Sequence, residues 1–179
     1  DASPDGKFLV YSQTGQDEDL WIFPLGANAK PIPYLQTPAR EVLGQVSPDG
    51  RWITYASDEL GPMQVYVQPI PPTGAKYQIS TDGASYPRWR RDGKELFYVT
   101  ADRKLMAVPV TAASPSFESG APLMLFENVP FVLPDRDFGY QPAPDGQRFL
   151  AIVPVGTEGG APPITVLLHW QSERKQSVV

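Results

Sequence analysis

Few side chains in this sequence could do covalent chemistry. His169 is the only histidine among 179 residues, and cysteine is absent. A metal centre built from several imidazoles is therefore impossible, as are disulfides, thiolate metal sites and a cysteine nucleophile. A Ser-His-Asp triad would have to use His169, which lies in the apolar run from Ile164 to Trp170, and no G-x-S-x-G turn exists to present a serine. His169 reads as a packed or edge-strand residue. No catalytic residue, metal or cofactor is expected.

Carboxylates are what remain. Twenty acidic against fifteen basic residues leave a net charge of −5, which gives no support for a nucleic-acid partner. No apolar run reaches the roughly 20 residues of a membrane span, so direct membrane insertion is not expected. The densest acidic stretches are Asp17-Glu18-Asp19 and Asp135-Arg136-Asp137, and neither follows a calcium-loop pattern. Four other aspartates, Asp5, Asp49, Asp92 and Asp145, each precede a glycine: Gly6, Gly50, Gly93 and Gly146. They are 44, 43 and 53 residues apart. Such spacing distributes them over separate units, so they cannot form an acid–base pair.

The spacing defines an internal repeat. Ser3-Pro4-Asp5-Gly6, Ser47-Pro48-Asp49-Gly50, Arg91-Asp92-Gly93 and Ala143-Pro144-Asp145-Gly146 each precede a short apolar run. Aspartate bonds nearby amides and glycine supplies a left-handed backbone, so each motif is a turn between antiparallel strands. A third strand follows each time, at Leu20–Phe23, Val65–Val67, Leu105–Val108 and Ile164–Trp170, closed by Pro24, Pro69 and Pro109 in the first three repeats. Outer strands are expected at Ile32–Gln36, Tyr77–Ser80 and Leu123–Phe126. Leu9, Ile53, Leu96 and Phe149 occupy one face of the second strands, and Val10, Thr54, Phe97 and Leu150 the other. Apolar residues on both faces imply a sheet covered on both sides, as when blades stack around an axis. The expected fold is all-β: a β-propeller portion of about four four-stranded antiparallel blades, over residues 1–37, 41–81, 84–127 and 138–171.

The pattern Ser47-Pro48-Asp49-Gly50 with Ile53-Thr54-Tyr55-Ala56-Ser57 and Val65-Tyr66-Val67 resembles the TolB-like propeller family, relatives of the WD-repeat propellers. The stretches from Trp89 to Tyr98 and from Pro163 to Trp170 are similar to the last blades of propellers carried by some bacterial membrane-anchored Ser/Thr kinases. The resemblance implies a binding or sensing module outside the cytoplasm. It equally covers the gating propeller of a prolyl-oligopeptidase-type serine peptidase, the rival reading. A kinase domain and membrane span before Asp1, or an α/β-hydrolase domain after Val179, would decide between them.

In a blade, the loops after second strands share a rim with the blade-to-blade connections. That rim gathers Asp17, Glu18, Asp19, Glu41, Asp58, Glu59, Asp82, Asp102, Glu127, Asp135, Asp137 and Glu158. Lys7, Arg51, Arg91 and Lys94 lie at the turn rim. Besides serving solubility, the acidic rim is the candidate surface for a cationic ligand or a basic protein partner. The candidate binding residues are Asp17, Asp19, Asp58, Asp102, Asp135 and Asp137. Phe131 joins them because the extra residues of the last interval, 127–139, carry the apolar Phe131-Val132-Leu133. That segment either packs into the channel, the favoured reading, or offers a recognition edge. The chain opens inside a turn motif and reads as part of a longer one. Its terminal blades should expose apolar sheet faces, so the isolated chain is expected to self-associate, most simply as two half-rings, or else to aggregate.

Overall fold

The Asp-Gly turns are built alike in the computed structural model, which describes residues 1–15, 18–112, 116–131, 133, 139–153 and 164–167. In each, the glycine N–H donates to the carbonyl three residues earlier: Gly6 to Ser3, Gly50 to Ser47, Gly93 to Arg90 and Gly146 to Ala143, all at 2.9 Å. The four glycines have φ of 69°, 74°, 71° and 66°, the left-handed region that a Cβ disfavours. Each aspartate Oδ1 accepts from the amide two residues on, at 2.9 to 3.2 Å. Ser3 and Ser47 add hydroxyl bonds to this frame. Arg90 stands where those serines do and instead clamps Asp92 with two bonds of 2.7 and 2.6 Å.

Four antiparallel sheets follow from the four turns. The first comprises β1 (Phe8–Gln13), β2 (Asp19–Pro24) and β3 (Ile32–Leu35), with Ala2 bridging Leu9 on the inner side. The second contains β4 (Glu41–Val46), β5 (Trp52–Ser57), β6 (Gln64–Pro69) and β7 (Tyr77–Gln78). The third has β8 (Ala84–Trp89), β9 (Glu95–Thr100), β10 (Leu105–Thr111), β11 (Glu118–Ser119) and β12 (Leu123–Phe126). The fourth has β13 (Tyr140–Pro142), β14 (Phe149–Ile152) and β15 (Ile164–Leu167). No helix among the described residues is long and apolar enough to cross a membrane.

Two expectations are corrected in detail. Pro109 does not close its strand, because β10 continues to Thr111 by pairing with β11. The third outer strand falls at Leu123–Phe126 as expected, and an additional short strand, β11, precedes it, the two pairing with different halves of β10. Strand β7 ends at Gln78, and past it Ile79 N–H still donates to Val65 O at 2.8 Å while the hydroxyl of Ser80 replaces a backbone acceptor for Val65 N–H, at 2.9 Å.

Burial follows from stacking. Successive sheets meet along three apolar seams: Val10, Leu20 and Tyr34 against Ile53 and Tyr55; Trp52 and Val67 against Leu96 and Tyr98; Phe97 and Leu105 against Phe149 and Ala151. The rings of Phe97 and Phe149 meet edge-on with centroids 5.0 Å apart, a geometry worth about 0.5–1.5 kcal/mol beyond area burial. Every residue of β5 is buried, as expected of a strand between two neighbours. Both inner strands β4 and β8 carry a bulge with a left-handed non-glycine residue, Leu43 and Tyr86. Gly44 follows the first because a Cβ there would meet Val10 Cγ1 at 2.8 Å.

The described part of the insertion that carries Phe131 packs rather than projects. Phe131 is buried, its ring stacked on Tyr140 at 5.5 Å, and Val129 is buried beside it over the seam of the third and fourth sheets. Arg103 fixes the backbone by donating to Val129 O at 2.8 Å and to Phe131 O at 2.5 Å. Phe131 is thus corrected from candidate contact to core residue: its ring has no solvent face left for a ligand.

Candidate functional site: the acidic rim

One backbone bond recurs on the rim opposite the turns. The connection into each later blade donates to the loop after the previous second strand: Glu41 to Glu18 O at 2.6 Å, Ala84 to Met63 O at 2.7 Å, Val129 to Arg103 O at 2.9 Å. These bonds bring loops and connections onto one rim, and with them the acidic residues.

The carboxylates converge most closely between the first and second blades. Glu18 is buried and accepts from Arg40 Nε at 2.8 Å and Nη2 at 2.6 Å. The Arg40 backbone N–H donates to Asp58 Oδ1 at 2.8 Å, and Gln36 Nε2 donates to Asp19 Oδ2 at 3.1 Å. Glu41 is fully buried at the start of β4. Its Oε1 accepts from Thr37 Oγ1 at 2.5 Å, whereas Oε2 has no hydrogen-bond partner. Burial holds this carboxyl above the ordinary carboxylate range against the lowering bond from Thr37, and the Asp19 and Glu59 charges add to the rise. Glu59 binds Lys76, whose Nζ sits 5.3 Å from the Tyr66 ring centroid. An open hollow of about 580 Å³ lies here, lined by Thr37, Pro38, Ala39, Asp58, Glu59 and Gly61. Leu60, at the tip of the same loop, is largely exposed.

Of the residues proposed from sequence, Asp58 is thus bonded to Arg40, and Asp19 is bonded to Gln36 with its charge near Glu41. Asp102 sits apart on the third blade, bound to Lys104 Nζ at 2.7 Å and Thr100 Oγ1 at 2.6 Å. Those two partners hold its carboxyl below the usual range. Asp17, Asp135, Asp137 and His169 lie outside the described residues. Two contributors were not singled out in advance. Glu41 had one signal, a charge at the inner-strand position where the next repeat has Ala84. Leu60 had none beyond being an apolar residue between acidic and glycine neighbours. The rim offers charge and hydrogen-bond acceptors, and among the described residues no three potential metal-ligating side chains cluster.

The architecture can be set beside known proteins. No family model and no curated protein matches the chain. Solved structures do. A putative TolB from Agrobacterium tumefaciens superposes with a TM-score of 0.60 at 16% identity, over 92% of this chain and 58% of that one. TolB from Acinetobacter baumannii gives 0.63 at 12% identity, over 94% and 40%. The fold is that of a β-propeller. This chain therefore spans only about half the length of those TolB chains. A putative 6-phosphogluconolactonase from Bacteroides uniformis also superposes, with a TM-score of 0.54 at 15% identity over 94% and 54%. Named enzymes share the architecture, so function has to be argued from the rim rather than from the fold.

Proposed function

We propose that this chain is a non-catalytic binding module, part of an extracytoplasmic propeller that presents its acidic rim to a cationic ligand or a basic protein surface. The observation that carries this reading is an open hollow walled by Asp58 and Glu59, with the buried Glu41 bonded to Thr37 in the same wall and the Asp19 charge near Glu41. A hollow with two carboxylates at its wall and an exposed Leu60 at its lip suits a basic segment with an apolar side chain. The TolB-like architecture supports a protein-interaction scaffold, and the kinase-type resemblance of the last blades supports a sensor propeller as its setting.

A fluorescent lysine- and arginine-rich peptide, titrated at two salt concentrations, tests the reading. Replacing Asp17, Asp19, Asp58 and Asp102 together by asparagine should weaken binding at least tenfold, and raising salt should do the same to the parent chain. As a control, Asp5→Asn, Asp49→Asn and Asp145→Asn on the turn rim should leave the affinity unchanged. Equal loss in both sets, or indifference to salt, would show the charge to serve solubility alone.

A further inference from the structure

The Glu59 wall of the hollow already carries a lysine of the chain itself. Lys76 Nζ bonds both carboxylate oxygens of Glu59 and sits 5.3 Å from the Tyr66 ring centroid. That lies inside the range of about 6 Å over which a ring face attracts an ammonium. A carboxylate and a tyrosine ring placed this way would hold a lysine from another protein by the same two interactions.

The two receiving groups are fixed, whereas the lysine is loosely tied. The Tyr66 ring is buried and stacked on Tyr55, with centroids 5.7 Å apart. Glu59 stands in the turn from Asp58 to Gly61, closed by Gly61 N–H donating to Asp58 O at 2.8 Å. Lys76 ends the largely exposed segment 71–76, just before β7 begins at Tyr77. Its ammonium can leave without breaking a strand pair, and a part-exposed ion pair holds it only weakly.

The surroundings favour a cation. Tyr66 and Glu41 are each 1% exposed, and the Tyr66 hydroxyl, facing Glu59, and Glu41 Oε2 have no hydrogen-bond partner. Among the described residues Glu18, Asp19, Glu41, Asp58 and Glu59 stand at this seam with Arg40 and Lys76 as cations, and Arg40 is bonded to Glu18. The repeat does not require the arrangement. Tyr66 pairs with Tyr55, and the same place holds Trp21 opposite Tyr11 and Met106 opposite Tyr98. Four residues after those tyrosines come Glu59, Gly15 and Asp102 respectively for the second, first and third blades. Of these three blades, the second alone joins a carboxylate to a ring there.

We propose that Glu59 and Tyr66 form a lysine subsite, which Lys76 fills in the free chain and which a lysine of a basic partner takes over by displacing it. The inference rests on the acidic-rim reading and adds to it the side chain recognised and a built-in competitor.

The probe is a fluorescent octalysine peptide titrated into the whole 179-residue chain. Lys76→Met should tighten binding about three- to fivefold, since a weak pair no longer has to be broken. Lys30→Met makes the same charge change at an exposed residue of the loop before β3 and should shift the affinity by less than about twofold. Adding Glu59→Gln to Lys76→Met should cancel the gain. In the parent chain the Lys76 side-chain proton signals, displaced by the Tyr66 ring current, should move to those of a solvated lysine as the peptide saturates. Equal binding by the parent and Lys76→Met, or saturation with the Lys76 signals in place, overturns the subsite and leaves the acidic rim standing. A gain that survives Glu59→Gln, or that Lys30→Met matches, reports net charge alone and overturns the subsite too. A peptide that binds none of these chains overturns the rim reading and the subsite together.

Discussion

Replacing Gly50 by alanine isolates what the Asp-Gly turn requires of its backbone. Gly50 has φ of 74°, and the nearest atom to a Cβ built there is Pro4 Cδ at 3.9 Å. Space is therefore no obstacle, and the whole effect is the left-handed conformation, about 1–2 kcal/mol for a residue with a Cβ. For a chain of this size that is about 2–8 °C in melting temperature. Gly26→Ala is the matched control, since Gly26 has nothing within 4 Å and no positive φ; it should be neutral or stabilise by about 0.4–1 kcal/mol. Gly50→Asn should recover part of the loss, because asparagine tolerates the left-handed region. Gly146→Ala should cost more than Gly50→Ala, since its Cβ would meet Arg90 Cδ and disturb the clamp on Asp92. Thermal and urea melts followed by tryptophan fluorescence measure the series. If Gly50→Ala melts with the parent, or no lower than Gly26→Ala, the turn does not depend on glycine's conformation and the repeat assignment loses its physical basis.

Phe131→Ala should cost about 3–5 kcal/mol, the usual range for a buried phenylalanine, because it empties the space against Tyr140; an unchanged urea midpoint would return Phe131 to the surface. Glu41→Gln should stabilise the chain at neutral pH by about 1 kcal/mol, by removing a buried charge with one unpartnered oxygen. The sign is fixed by linkage: the folded carboxyl takes up its proton at higher pH than the unfolded one, so the parent regains this stability as pH falls through the folded value towards 4.5. The advantage of the variant should therefore vanish in mild acid, and a constant difference across that window would refute it. Asp5 and Asp92 act oppositely. Lys7 and Arg90 respectively hold them at about 2, so their contribution is full above 3.8 and is lost as pH falls towards 2.

What could be read in the sequence was what repeats. Asp5, Asp49, Asp92 and Asp145 recur with glycine, and a turn is a local object whose chemistry is contained in four or five residues. The second strands were legible because Ile53-Thr54 and Leu96-Phe97 are buried on both sides, a composition that a half-wet sheet does not have. Deviations from the repeat were harder. Pro109 as a strand terminator failed because a proline costs one donor and β10 had no partner needing it there. The insertion containing Phe131 was legible as apolar, but its anchor was not. Arg103 lies 28 residues away from Phe131, too far along the chain for a local pattern to link the two. The site was half legible, since topology puts Asp19 and Asp58 on one rim while only three-dimensional packing shows that Arg40 ties Glu18 to Asp58 and that Asp102 stands apart.

The two rims divide the work of the carboxylates. On the turn rim each aspartate is committed to an amide two residues on, and Asp5, Asp92 and Asp145 are held below their usual range by such bonds and by neighbouring cations. Ionisation there stabilises the fold, and little acceptor capacity is left for anything else. On the opposite rim the backbone bonds from Glu41, Ala84 and Val129 recur whatever side chain stands there, with Arg40 and Arg103 adding side-chain bonds. Carboxylates there are free to vary from blade to blade, and Glu41 keeps a charge that burial disfavours. The turn rim is thus built on aspartates that the fold itself uses, and the opposite rim on backbone bonds that recur whatever side chain stands there.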